Sequence, residues 1–180
     1  IDTAEVYENE AGVGEGLRRA SAANGLTRED LFVTTKLWPG GAGASAKSAA
    51  QTAKSLEESL DRLGLDRVDL YLIHAPFDRA QRLTQWQTLV ELHDAGKARA
   101  IGVSNFNTTH IEELHEAGLP APHANQIELH PWSQKPQIVE YLVQRGIVPI
   151  AYSSLVPLST WRIAPGHGSG KTDIMQADSA

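Results

Sequence analysis

Short apolar runs alternate with longer stretches of helical pattern along most of the chain, and this alternation restricts the fold more than any other feature. The runs are Ile1–Ala4, Leu31–Lys36, Val68–His74, Ala98–Ser104, Asn125–Leu129 and Ile147–Ser153. They are apolar throughout, as parallel strands covered on both faces are. Between them, Ala11–Ala23, Ser45–Leu63, Leu83–Ala95, Thr108–Ala117 and Pro136–Arg145 carry helical spacing. Leu56, Leu60 and Leu63 share one helix face, and Trp86, Leu89 and Leu92 share another. Asn107 suits a helix start, and Gly64, Gly96, Gly118 and Gly146 fall where helices should stop. Repeated strand–helix units admit a β/α barrel or a doubly wound sheet. A doubly wound dinucleotide fold would carry GxGxxG after a strand. The GVGEG segment from Gly12 to Gly16 lacks that pattern and lies inside a helix. The barrel is the predicted fold.

Composition narrows the function classes. With 180 residues, 41% hydrophobic and 21% charged, the chain suits one soluble globular domain. A net charge of -6, without basic clusters, argues against a nucleic-acid partner. The absence of cysteine excludes disulfides, zinc-thiolate sites and a thiol nucleophile. No apolar run approaches the roughly 20 residues that span a bilayer. A cytoplasmic protein with no membrane association is the expectation.

Asp2, Tyr7, Lys36 and His74 lie at or just past the ends of successive apolar runs, in IDTAEVYENE, LFVTTKLW and VDLYLIHAP. A barrel gathers such positions at one rim, where active sites are built. Tyrosine is a weak acid, with a reference pKa of about 10, and a nearby ammonium favours its ionised form. A carboxylate keeps that ammonium charged. The four together make a proton-donor assembly for a carbonyl oxygen. Taken singly, each has a plainer reading as packing or a solvated strand end.

These residues belong to longer motifs. DTAEVYENEAGVG runs from Asp2 to Gly14, and a second segment from Leu89 to Phe106 ends ARAIGVSNF. NQIELHPW spans Asn125 to Trp132, and IVPIAYSSL spans Ile147 to Leu155. In this order and at this spacing they resemble the aldo-keto reductases, over Ile1 to about Leu155. The resemblance implies a TIM (β/α)8 barrel, partial here, and an oxidoreductase that reduces aldehydes or ketones with NADP (as NADPH) and no metal. It implies a small-molecule carbonyl substrate and, for a complete chain, a monomer.

Roles carry over from the resemblance residue by residue. Tyr7 matches the general acid, Lys36 the cation that assists it, Asp2 the carboxylate that holds Lys36, and His74 the group that orients the carbonyl. Ser104, Asn105 and Gln126 match positions that bind the nicotinamide carboxamide, which offers both a donor and an acceptor to amide and hydroxyl groups. Tyr152 matches the aromatic that stacks on the nicotinamide ring. Trp38 and Trp132 are the candidates for the substrate pocket, beside His74. Trp86 is expected to pack a helix onto the barrel.

The remaining motifs are weaker. Residues 156–180 resemble no further family strand or helix and form an unassigned tail, expected to be disordered. The tail contains GHGSGKT, but a phosphate loop needs a glycine where Pro165 stands. His110 and His115 miss the spacing of a helical zinc pair, and His130 within ELHP reads as structural. Acidic residues around Glu57 and Glu112 read as solvated helix faces. The chain opens on Ile1, and six runs fall short of the eight strands of a closed barrel. A fragment beginning at the family's second strand and ending after its seventh is therefore expected, with open edges that favour aggregation. Besides the reductase, two alternatives remain: a non-catalytic cofactor-binding regulatory subunit on the same fold, and an inactive truncated fragment.

Overall fold

Register between distant strands settles the architecture. The computed structural model describes residues 1–41 and 45–155. Five parallel strands follow one another in chain order across one sheet: β1 (Thr34–Leu37), β2 (Val68–Ile73), β3 (Ala98–Ser104), β4 (Ala124–Glu128) and β5 (Val148–Tyr152). The order never reverses, which separates a barrel-type winding from a doubly wound sheet. Helices α1 (Glu10–Asn24), α2 (Ala49–Leu63), α3 (Arg79–Asp94), α4 (Thr108–Glu116) and α5 (Pro136–Gln144) link the strands in the predicted sequence. The predicted tail, with its GHGSGKT segment, lies outside the described residues.

One predicted strand shrinks to a single contact. Ile1–Ala4 forms only a parallel bridge, Asp2 opposite Thr34, flanked by bonds from the Thr34 N–H to the Ile1 carbonyl (2.8 Å) and from the Thr3 N–H to the Thr34 carbonyl (2.9 Å). Its run ends there because the backbone turns at once into a 3-10 turn, Glu5–Tyr7. Two helix starts also move. Ser48 caps α2 through a reciprocal box with Gln51, so the helix begins four residues after Ser45. Asp78 accepts the Gln81 N–H at 2.9 Å and starts α3 a turn before Leu83.

Alternation along each strand separates two layers. Tyr71, Ile73, Ile101 and Val103 pack with Leu56, Leu60, Leu63, Trp86 and Leu89 from the helices, as the helical spacing predicts. The intervening residues Leu70, Leu72, Ala100, Ala124 and Ile150 form a smaller cluster on the other, concave face. At roughly 1.5–3 kcal/mol for each fully buried large side chain, the helix-side layer carries most of the hydrophobic stabilisation. Trp86 is wholly buried and donates its indole N–H to the Pro120 carbonyl at 2.9 Å.

Close approach demands glycine where α1 meets α2 and again inside the sheet. A Cβ on Gly14 would sit 2.4 Å from the Leu63 carbonyl oxygen, so its absence lets α1 press on the end of α2. A Cβ on Gly102 would meet the Ala124 carbonyl at 2.4 Å and Leu72 Cδ2 at 2.8 Å. Gly102 pairs with both Leu72 and Ala124 in the sheet, so the concave layer closes over it. Among the described residues, no helix is long and apolar enough to cross a membrane.

Candidate active site

The concave face gathers most of its polar side chains at its C-terminal rim. Leu72 pairs with Lys36 on one side and Gly102 on the other, and two residues further along Ser104 pairs with Gln126. Inward positions on four strands therefore deliver Lys36, Ser104, Gln126 and Tyr152 to one end, with His74 just past β2. Asp2 joins them through its bridge to Thr34.

Lys36 is 1% exposed, an expensive position for a lone cation. Its ammonium is paired with the Asp2 carboxylate and donates to the Thr3 carbonyl at 2.9 Å. The Asp2 carboxylate is shared: its second oxygen accepts the Gln126 side-chain N–H at 2.7 Å. One carboxylate thus fixes the lysine on one wall and the Gln126 amide on the other. With its N–H donated to Asp2, Gln126 keeps Oε1 as an acceptor.

Tyr7 ends the 3-10 turn and is 48% exposed. The Lys36 ammonium lies 5.0 Å from the centre of its ring. His74 meets the same ring edge-on at 5.6 Å and the Trp38 ring at 5.7 Å. Burial, aided by the Lys36 cation and opposed by Asp2, lowers the His74 pKa to about 4. The imidazole is therefore neutral at ordinary pH and can donate from only one nitrogen. Its Nδ1 is buried without a partner among the described residues.

On the opposite wall the polar groups satisfy one another. Ser104 Oγ donates to the Gln126 carbonyl at 2.8 Å. Asn105, left-handed at φ 62°, donates from Nδ2 to the His74 carbonyl (3.0 Å) and to Ser104 Oγ (3.1 Å). Its Oδ1 accepts the Tyr152 hydroxyl at 2.7 Å. Both Asn105 donors are thus committed, and a lone pair on Oδ1 is what remains for a ligand.

A cavity of about 570 Å³ opens between the walls, lined by Asp2, Tyr7, His74, Ser104, Asn105, Gln126 and Tyr152, together with Ile150, Ala151 and Ser153. Lys36 lies beneath it, in contact with Asp2. Trp38 reaches the site through His74. Trp132 does not line the cavity: it stands 50% exposed, tilted against His130 at 6.4 Å. The chain doubles back there through a bridge between His130 and Ser133, so the side chain follows that turn.

Sequence patterns miss the bracing behind the site. Glu10, 1% exposed, accepts from Thr35 Oγ1 (2.6 Å), Ser59 Oγ (3.2 Å) and Arg62 Nε (2.8 Å), locking α1 and α2 to β1. Glu112 is more than a solvated face: it accepts the Tyr141 hydroxyl at 2.8 Å and pairs with Arg145, joining α4 to the α5 end. That hydrogen bond and Arg145 hold its carboxyl below the usual range. Nothing local distinguishes Glu10 from an ordinary first-turn acid, so only packing reveals it.

A model of the aldo/keto reductase family matches residues 1–160. The chain belongs to that family. Among relatives, the uncharacterized oxidoreductase YtbE of Bacillus subtilis is 42% identical over 156 residues, covering 87% of this chain and 54% of the relative. The glyoxal reductase of the same bacterium is also 42% identical over 156 residues, covering 87% and 53%. A crystal structure of Bombyx mori aldo-keto reductase AKR2E4 in complex with NADP superposes with a TM-score of 0.80 at 39% identity, covering 94% of this chain and 54% of that one. This family member therefore spans about half the length of the relatives it matches, and its parallel α/β sheet corresponds to part of their barrel.

Proposed function

We propose that the full-length protein is a carbonyl reductase in which Tyr7 is the general acid and NADPH the reductant. The observation that carries this reading is the convergence of Tyr7, Asp2 with its buried partner Lys36, and neutral His74 on one cavity. The NADP complex of the Bombyx mori relative supports the cofactor.

The residues suit the nicotinamide end of such a cofactor. Gln126 Oε1 and Asn105 Oδ1 offer acceptors to a carboxamide N–H, the Tyr152 ring offers a flat apolar face, and the cavity exceeds the volume of one heterocycle. When bound, the cofactor supplies hydride to the carbonyl carbon. Tyr7 then gives its phenolic proton to the carbonyl oxygen, breaking one O–H bond and forming another. The negative charge left on the phenol faces the Lys36 ammonium, which Asp2 keeps in place. His74, neutral, donates a hydrogen bond to the same oxygen and aligns it. Trp38 behind His74 forms an aromatic wall for the substrate.

Tyr7→Phe removes the proton and keeps the ring. Turnover of an aromatic or short aliphatic aldehyde with NADPH should fall by about 10²- to 10⁴-fold, the range of general acid catalysis. Cofactor affinity, followed by NADPH fluorescence, should stay within a few-fold. Turnover equal to the parent protein would remove Tyr7 from the mechanism. An inactive parent with intact NADPH binding would favour a cofactor-binding regulatory role.

A further inference from the structure

We infer that Glu5 is a positioning residue of this site, whose carboxylate ties the turn bearing Tyr7 to the strand end bearing Trp38. The inference rests on Tyr7 being the acid.

The Glu5–Tyr7 turn is weakly held by its own residues. It is one 3-10 turn, none of its residues is buried, and the position after it, Glu8, is left-handed at φ 54°. Within the turn, the backbone bonds are the Tyr7 N–H to the Ala4 carbonyl (3.0 Å) and the Glu8 N–H to the Glu5 carbonyl (3.2 Å). A half-exposed tyrosine on so short a turn needs an outside anchor to hold its hydroxyl at one distance from a reacting oxygen.

Glu5 supplies that anchor. Its Oε2 accepts the Trp38 backbone N–H at 3.0 Å, and its Oε1 pairs with Lys47. Lys47 is braced in turn: its ammonium donates to buried Ser55 of α2 at 2.7 Å, and its N–H donates to the Pro39 carbonyl at 3.0 Å. Gln85 of α3 donates to both the Pro39 carbonyl (2.8 Å) and the Lys47 carbonyl (3.1 Å). The anchor thus runs from two core helices, through an ion pair about one-fifth exposed on each side, to the Tyr7 turn. Trp38 packs on His74, which packs on Tyr7, so the same carboxylate spaces the acid from the aromatic wall. Glu5 itself is not among the residues lining the cavity, so it acts through Tyr7 and Trp38.

Three variants of the full-length protein test this: Glu5→Ala, Glu5→Gln and Lys47→Met, with benzaldehyde and NADPH as probes. Glu5→Ala should lower kcat by about 10- to 10²-fold, as a displacement near 1 Å does, and raise the aldehyde KM several-fold. Its NADPH dissociation constant should stay unchanged. Glu5→Gln still offers an acceptor to the Trp38 N–H and should restore the aldehyde KM while leaving kcat partly reduced. Lys47→Met should match Glu5→Gln. Hydrogen exchange at the Trp38 amide should quicken in Glu5→Ala and not in Glu5→Gln. An ordinary stabilising ion pair would lower the unfolding midpoint in all three variants with kcat and KM per folded molecule unchanged, and that result overturns the inference. Parental kinetics in Glu5→Ala, in a protein where Tyr7→Phe is impaired, overturns it alone. Full activity in Tyr7→Phe overturns both it and the reading of Tyr7.

Discussion

On the β1–β2 side of the cavity, reactive side chains stand on ionic supports: Lys36 on Asp2, the Tyr7 turn on Glu5 and Lys47, and β1 itself on Glu10 and Arg62. On the β3–β5 side, hydroxyls and amides satisfy one another, Ser104 with Gln126, Asn105 with Tyr152. The strands themselves differ in burial. Every residue of β2 is buried, whereas Val148 of β5 is 57% exposed. A charged wall holds ions where a proton must move. A neutral wall of amides can exchange its internal bonds for bonds to a ligand at little net cost, since hydrogen bonds largely replace one another. Under the proposed function, the first wall serves proton transfer and the second serves recognition.

Removing the cation should break this contrast most severely. Lys36→Met leaves Asp2 without its cation and deprives a developing phenolate of its counter-charge, so turnover should fall by about 10²-fold or more. NADPH affinity should change less than threefold. A loss of affinity as large as the loss of turnover would mean that the two walls do not divide their labour.

Behind the charged wall, Glu10→Gln should lower stability by about 1–3 kcal/mol in urea unfolding, because a buried network then accepts fewer bonds. Aldehyde turnover per folded molecule should be preserved. On the neutral wall, Gln126→Ala should weaken NADPH binding by about tenfold, one hydrogen bond's worth, in a fluorescence titration. Unchanged affinity there would remove Gln126 from the cofactor site.

A test without substitution concerns His74. Its ring protons should titrate by NMR with a midpoint about 4, against about 6.5 for an exposed histidine. Between those values the unfolded chain binds a proton that the folded chain refuses, so stability should fall as pH drops from 6.5 towards 4 and be insensitive to this group above 6.5. In Lys36→Met the midpoint should rise, since one of the groups lowering it is gone. A parental midpoint near 6.5 would show that burial does not govern this imidazole.

Much of the fold is legible in local patterns. Burial on both faces imposes continuous apolar runs, and helix ends need residues that tolerate left-handed backbone, which is why Gly64, Gly96, Gly118 and Gly146 mark four ends, each with φ near 70°. Ile1–Ala4 has the composition of a strand but is a bridge, because ladder length depends on where the chain turns away. The residue types at strand ends were equally legible, since they need only a run and its terminus.

Which of those residues meet was a tertiary matter. Gln126 reaches Asp2 across 124 positions of sequence, and no local rule predicts that bond. Trp38 and Trp132 have the same side chain and similar places after a strand, yet one packs on His74 and the other follows a turn away from the cavity. Glu112 reads as a surface acid, yet like Glu5 and Glu10 it holds two elements together. The sequence alone determined the period of burial and the chemistry available at the rim, because neighbouring residues and backbone sterics set those. Only the tertiary structure decided which groups converge, since that depends on register between strands separated by long helices.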